Sequence, residues 1–382
     1  MSNSFKQQCV MIIAGEVSGD LHGAKLVKAM RKKNSSLFFC GIGGQALKDA
    51  GVKILVDAAQ LSVVGITEVF SKIPGIIRGR TVARRLLKSL CPDLLILIDF
   101  PDFNLNIAAL AKKLNIPVLY YISPQVWAWR RGRVNKIKKL VDHMAVIIPF
   151  EEEFYREYQV PVTYVGHPLL DTDLPGIQKT EKSENIHVIG LLPGSRDKEV
   201  KRHLPVMVKA AHILSKRIDN IKFLISLAPS IEISLMETIV KKHEGPAQFD
   251  FVPNGAEQVF KRCNLVVAAS GTVTLEAAIY GVPLIIIYKI SPVSYWLGRA
   301  MIRVKNIGLA NLIAGKEVAP ELIQGKASPE NIADQVFDMS NDALRLNTIR
   351  DEILKVKDLL GGPGASERTA EIAVRMLENV KM

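Results

Sequence analysis

The chain has 382 residues, 48% hydrophobic and 23% charged, a balance that suits two globular domains and excludes a disordered chain. Its formal net charge of +12 calls for an anionic partner: a nucleic acid, a phosphorylated small molecule or an acidic membrane surface. Aromatic residues make up only 6%, too few for a base-stacking platform, and no nucleic-acid motif is visible, so nucleic acid is set aside.

In chain order, short apolar runs alternate with helical patterns, the signature of βαβ units and parallel sheets. In the first half the spacing predicts strands at 10–14, 37–40, 94–98, 117–122 and 144–147. The run at 10–14 is too short for a signal-peptide core, and no run reaches the ~18 apolar residues of a membrane span. A soluble or peripheral cytoplasmic protein is expected. After the first strand comes Gly15-Glu16-Val17-Ser18-Gly19-Asp20, with a helix opening near Leu21. It lacks the spacing and lysine of a phosphate loop, and its acidic residues would repel phosphate. It suits sugar hydroxyls, or Ser18 and Asp20 cap the helix. Gly41-Ile42-Gly43-Gly44 after the second strand is a close-approach loop or a plain turn.

Residues 63–87 combine Val64, Ile66, Val69, Phe70, Ile73, Ile76 and Ile77 with Arg78, Arg80, Arg84 and Arg85, and Pro74-Gly75 interrupts the helical pattern. An interfacial segment that grips lipid phosphates is the expectation, over a core helix with a solvated face. The strand at 94–98 ends in Asp99-Phe100-Pro101-Asp102-Phe103-Asn104. A carboxylate just past a buried strand lies at the ligand end of a sheet, where partial burial raises its proton affinity, so Asp99 is the candidate general base. Asp102 instead suits the cap of a helix beginning near Leu105. Trp127 and Trp129, two of three tryptophans, follow the strand at 117–122, packed or shaping an apolar pocket. Beyond Arg130 and Arg131 come Arg133, Lys136, Lys138 and Lys139, a basic helix face or a solvated one.

Polar residues 171–185 read as the linker between two domains, 1–170 and 186–360. Strands are predicted beyond it at 187–192, 223–227, 249–252, 265–269 and 284–288. The first breaks at Pro193-Gly194 and delivers Ser195-Arg196 to a helix start, an anion site if it is more than an ordinary turn. Ser270-Gly271-Thr272 lets a ligand approach another helix start, and Glu276 one turn in suits ribose hydroxyls or the helix dipole alone. Asn311 is an amide in an apolar loop that needs partners. A last amphipathic helix covers 365–379, packing on the first domain or on a partner subunit, so a homodimer stays open. Cys9, Cys40, Cys91 and Cys263 show no pairing pattern and read as reduced thiols, three of them beside apolar runs. No histidine spacing suits a metal, and no nucleophile elbow is visible.

The segments AGEVSGD (14–20), DFPDFN (99–104), YISPQVWAW (121–129), GHP (166–168), LPGSR (192–196), ASGTVTLE (269–276) and LANLIAG (309–315) together resemble the lipid-A-disaccharide synthases, glycosyltransferases of Gram-negative outer-membrane lipid biosynthesis. The resemblance implies the α/β GT-B fold, two Rossmann-like domains with parallel sheets facing an interdomain cleft. It implies the joining of UDP-2,3-diacylglucosamine to 2,3-diacylglucosamine 1-phosphate with release of UDP, without metal or other cofactor, at the inner face of the inner membrane. Asp99 and Arg196 are then the expected catalytic residues. Gly194, Ser195, Arg196, Ser270, Gly271, Thr272, Glu276 and Asn311 are expected on the UDP-sugar, and Glu16, Ser18 and Asp99 on the acceptor sugar. Arg78, Arg80, Arg84 and Arg85 are expected on lipid phosphates. Gln45 stands where many relatives carry Pro after Gly-Gly, and no contact is carried over to it. The rival readings are a UDP-sugar 2-epimerase on the same fold and a non-catalytic protein that binds anionic lipid.

Overall fold

The computed structural model describes residues 7–58, 66–128, 131–171, 187–253, 255–291, 295 and 304–379, the side chains of 66–77 excepted. Trp129, Arg130, the linker from 172, residues 63–65 and the side chains of 66–77 lie outside the described set. The chain divides into two compact units, Met1–Asp173 with Leu360–Met382, and Leu174–Leu359.

The first unit alternates strand and helix: β1 (Cys9–Ala14), α1 (Val17–Lys33), β2 (Phe38–Gly43), α2 (Gln45–Asp49), β3 (Lys53–Asp57), α3 (Ile66–Leu90), β4 (Leu94–Ile98), α4 (Pro101–Lys113), β5 (Val118–Tyr121), α5 (Val134–Leu140), β6 (His143–Val146), α6 (Pro149–Glu157) and β7 (Val162–Tyr164). The strands form one parallel sheet in the order β3-β2-β1-β4-β5-β6-β7. Every residue of Leu94-Leu95-Ile96-Leu97-Ile98 is fully buried, because helices cover both faces and the strand is apolar throughout.

The second unit repeats the plan with β8 (His187–Leu192), α7 (Asp197–Leu214), β9 (Ile221–Ser226), α8 (Ile233–Lys242), β10 (Phe249–Val252), α9 (Ala256–Arg262), β11 (Leu265–Ala269), α10 (Val273–Ile279), β12 (Leu284–Tyr288), α11 (Leu309–Ala314), β13 (Glu321–Ile323), α12 (Pro329–Asn341) and α13 (Ala343–Leu359). Its parallel sheet runs β10-β9-β8-β11-β12-β13. Both sheets reverse their winding beside the first strand, between β1 and β4 and between β8 and β11, as in doubly wound folds.

The last helix, α14 (Ala365–Asn379), belongs to the first unit, where it packs on α1 and Lys33 pairs with Glu371. Asp171 caps it, accepting from the Gly364, Ala365 and Ser366 amides and the Ser366 hydroxyl. Burial pushes the Asp171 carboxyl up, and these donors outweigh it and hold it low. Asp171 therefore closes the first unit instead of opening a linker.

Three strands absent from the sequence reading, β3, β7 and β13, are sheet edges with half-buried or exposed side chains and apolar runs of at most three residues. Helix α3 runs through Pro74 and Gly75, where an interruption was expected. Ala83 and Leu87, one turn apart and fully buried, fix its C-terminal half on the core, and tertiary packing overrides local propensity. Arg78, Arg84 and Arg85 are exposed on it and Arg80 is half-buried. No described helix is long and apolar enough to cross a membrane. Of the cysteines, Cys40 and Cys263 are buried, Cys9 is half-buried and Cys91 is exposed.

Candidate active site

In a doubly wound sheet, ligands gather beyond the carboxyl ends of the strands that flank the reversal. In the first unit those strands are β1 and β4, and the turns beyond them touch. A Cβ on Gly15 would lie 2.4 Å from the Phe100 ring, so only glycine lets that ring pack against the β1 turn.

The turn after β4 is strained. Asp99 and Phe100 are consecutive non-glycine residues in the left-handed region, at φ 45° and 48°. Hydrogen bonds hold them there. The Asp99 amide donates to the Tyr121 carbonyl at 3.3 Å, and the Asp99 carbonyl accepts from the Asn104 amide and the Tyr120 hydroxyl, each at 2.6 Å. Asn104, fully buried, also donates to the Ile98 carbonyl at 3.1 Å. The backbone of Asp99 is thus clamped on both sides. Its carboxyl is pushed up to about 6, first by burial and then by the charge of Glu16, against a backbone donor from Phe100. A carboxylate that titrates near 6 is ionised at neutral pH and a stronger proton acceptor than an ordinary aspartate.

The β1 turn differs in detail from its sequence reading. Helix α1 begins at Val17, four residues before the expected start at Leu21, and Glu16 is its N-cap residue without a side-chain cap. Ser18 is exposed in the first turn. Asp20 caps α2 instead of its own helix, accepting from the amides of Gly44, Ala46 and Leu47. Those donors are the free N–H groups at the α2 start, and an acceptor from a neighbouring turn satisfies them as well as a local cap would. Likewise α4 begins at Pro101 rather than near Leu105, and Asp102 in its first turn pairs with Arg133.

In the second unit the reversal lies between β8 and β11. Gly194 sits at φ 118°, and a Cβ there would lie 2.5 Å from the Glu199 carboxylate. Arg196 is the N-cap residue of α7. Ser195 and Arg196 are exposed, and both turn to Glu199: the Ser195 amide donates at 3.1 Å and the Arg196 guanidinium at 2.8 Å. Beyond β11, Gly271 and Thr272 are exposed at the α10 start, and the Ser270 amide donates to the Ile287 carbonyl. Half-buried Glu276 is pushed above the usual carboxylate range by burial and by Glu257.

Asn311 corrects its expectation as a substrate contact. It is 1% exposed, and its carbonyl oxygen accepts from the Val318 and Ala319 amides. Its amide donates to the Ala319 carbonyl and to Glu321, each at 2.8 Å. All four of its hydrogen bonds are made within the unit, so nothing is left for a ligand. Glu321 also accepts from the Ile307 and Gly308 amides, and the pair fixes the loop before α11.

The sequence reading passes over His203. Buried on α7, it bonds the Pro193 carbonyl through Nδ1 at 3.1 Å and accepts from the Lys289 amide through Nε2 at 3.2 Å. That pairing requires the neutral ring with its proton on Nδ1, and burial holds its pKa low. One imidazole thus fastens the turns after β8 and β12. Its position seven residues beyond Arg196, on the inner face of the following helix, is the only signal in the sequence.

The family model described as lipid-A-disaccharide synthetase matches residues 10–375. The lipid-A-disaccharide synthase of Syntrophus aciditrophicus is 49% identical over 97% of this chain and 98% of that protein. That of Geobacter metallireducens is 43% identical over 96% and 97%. The chain belongs to the lipid-A-disaccharide synthetase family. Family membership makes it a glycosyltransferase of the GT-B class. Solved structures of low identity share the fold alone. MurG from Acinetobacter baumannii matches with a TM-score of 0.59 at 14% identity, covering 97% of this chain and 100% of that one. A UDP-GlcNAc 2-epimerase from Neisseria meningitidis bound to UDP-GlcNAc matches with a TM-score of 0.60 at 12%, covering 97% and 100%. The epimerase reading is therefore a likeness of fold, whereas the lipid-A-disaccharide synthetase family is matched through sequence along the chain.

Proposed function

We propose that this chain transfers the diacylglucosaminyl group of UDP-2,3-diacylglucosamine to the 6-hydroxyl of 2,3-diacylglucosamine 1-phosphate, with inversion at the anomeric carbon. The observation that carries the reading is Asp99: a half-buried carboxyl at the reversal of the first sheet, raised to about 6 on a clamped, strained turn. An α-linked donor and a β-linked product require one in-line displacement. The Asp99 carboxylate takes the proton from the acceptor O6. The oxygen's electron pair forms the new bond to C1, and the C1–O bond to the β-phosphate breaks with its pair leaving on UDP.

The second unit holds the donor. Ser195, Arg196 and the backbone at Gly194 receive the departing diphosphate together with Ser270, Gly271 and Thr272, and Glu276 takes the ribose hydroxyls. Charge that grows on the leaving group is met by the Arg196 cation and backbone dipoles, so Arg196 contributes more at the transition state than in the ground state. Glu16 and Ser18 contact the acceptor sugar, and Glu16 tunes Asp99. Both substrates carry acyl chains, and Arg78, Arg80, Arg84 and Arg85 bind phosphates of an anionic membrane face, which supports a reading of the enzyme as peripheral at the cytoplasmic side of the inner membrane.

The test is an incubation of purified protein with UDP-2,3-diacylglucosamine and 2,3-diacylglucosamine 1-phosphate. Equimolar UDP and a β-1,6-linked disaccharide phosphate are expected. Formation of a 2-epimer without disaccharide, or binding without turnover, would replace this reading. For the membrane face, flotation with anionic vesicles should weaken when the four arginines are replaced together by glutamine. Flotation that ignored both lipid charge and the replacement would refute the lipid contact.

A further inference from the structure

The described residues from Tyr120 to Ala128 and from Arg131 to Arg133, at the two ends of the β5–α5 connection, make three sets of fastening contacts, two of them to Asp99 and the first turn of α4. At its near end, Tyr121 accepts from the Asp99 amide and Tyr120 donates to the Asp99 carbonyl. At its far end, Arg133 pairs with Asp102 in the first turn of α4. In the middle, Ser123 and Trp127 both donate to one oxygen of Glu151, each at 2.9 Å. The other oxygen of Glu151 accepts from the Ile148 amide at 3.3 Å, and Tyr155 donates to the Ser123 hydroxyl at 3.2 Å. The Trp127 ring stands edge-on to Phe150.

Glu151 is 1% exposed, and Ser123 and Trp127 are buried with it. Burying a carboxyl is an unfavourable way to hold a turn that apolar packing could hold. What a carboxylate adds is direction, because two side-chain donors on one oxygen fix the turn in a single placement. Gln125 is the exposed residue of that turn, between two buried anchors.

We infer that Glu151 is a positioning residue of the acceptor subsite: it presets the Ser123–Ala128 turn as a wall beside Asp99, against which the lipid-linked acceptor sugar is held for deprotonation. This rests on the reading of Asp99 as the base. The wall acts on the acceptor and not on the nucleotide, whose residues lie in the other unit.

The experiment uses Glu151→Gln, Ser123→Ala and Tyr155→Phe in the full chain. Glutamine keeps an oxygen for Ser123 and Trp127 and turns its amide toward the Ile148 N–H, while the other two variants each remove one donor. Acceptor binding is read without donor, by tryptophan fluorescence on titration with 2,3-diacylglucosamine 1-phosphate, and UDP binding is read by calorimetry. Glu151→Gln should raise the acceptor Kd and KM roughly tenfold, about the worth of one buried hydrogen bond, with UDP affinity unchanged. Ser123→Ala and Tyr155→Phe should raise them about threefold. If Glu151→Gln does not fold, those two variants decide alone. Equal losses of acceptor and UDP affinity, or unchanged acceptor affinity in folded variants, would overturn the inference. Because acceptor binding is measured without turnover, a failure of Asp99 as base shows separately, as retained turnover in Asp99→Asn.

Discussion

The two turns at the reversals of the two sheets are built on opposite principles. The turn after β4 is strained, half-buried and clamped, with Asp99 and Phe100 both left-handed and every backbone group of Asp99 engaged. The turn after β8 is relaxed and exposed, with its strain relieved by Gly194 and its donors resting on Glu199. A general base needs a raised pKa and a fixed direction, which burial and backbone constraint supply. A leaving-group site needs exposed donors that can exchange a protein partner for a charge when it arrives. Under the proposed roles, the contrast puts rigidity at the carboxyl that would take the proton and not at the donors that would receive the diphosphate.

The largest effect falls on the rigid turn. Asp99→Asn should lower kcat by ~10²- to 10⁴-fold, the range of a lost general base, with UDP affinity intact. Asparagine tolerates the left-handed region, so the variant keeps the turn. It should also melt higher than the parent above pH 6, because it removes a carboxylate that burial disfavours. The folded pKa of about 6 exceeds the unfolded 3.8, so the stability this carboxyl contributes is full below 3.8 and is lost as pH rises through 6. Thermal melts from pH 4 to 7.5 should show that loss in the parent and not in the variant. On the relaxed turn, Arg196→Ala should cost about ten- to a hundredfold in kcat and less in UDP affinity, as a contact that strengthens at the transition state does. Equal losses in both would make the arginine a ground-state contact.

Much of this contrast was legible before the fold. Ten of the strands follow from apolar runs between turn residues, and Asp99, Gly194, Ser195 and Arg196 stand at run ends where ligand groups belong. What escaped was set by partners distant in sequence. Asp20 caps a helix 24 residues on, and Glu151 collects a serine and a tryptophan 28 and 24 residues away. Asn311 shows the reverse error: an amide in an apolar loop needs partners, as read, but the partners are its own backbone and Glu321 rather than a substrate. Polarity in an apolar setting signals an obligation and does not say who meets it.

A smaller effect tests whether the relaxed turn is held open or held occupied. Glu199 takes the Ser195 amide and the Arg196 guanidinium, the same donors that a diphosphate would use. Its charge also repels the ligand. Glu199→Gln should therefore tighten UDP about threefold, a modest gain because the pair is partly exposed and screened. Calorimetric titration of UDP at low and moderate salt checks it, and the difference between parent and variant should shrink as salt rises. Weaker binding in the variant would mean that Glu199 organises the turn for the ligand instead of standing in for it.

The smallest effect is a shift of the pH profile with a slight change of its plateau. Burial is the first cause of the raised Asp99 pKa and the charge of Glu16 the second. Glu16→Gln removes only the second. A negative neighbour makes ionisation of Asp99 harder, so its removal lowers the Asp99 pKa and moves the acid limb of kcat/KM from about 6 to lower pH. The shift should be roughly half a pH unit, since water at the exposed end of α1 screens the pair. A weaker base is also a poorer proton acceptor, so the plateau rate at pH 8 should fall slightly while the limb moves. The two changes have opposite signs below pH 6, where more of the variant is ionised, and the variant should overtake the parent there. A limb that stayed in place would leave burial as the sole determinant of the base and free Glu16 for the acceptor sugar alone.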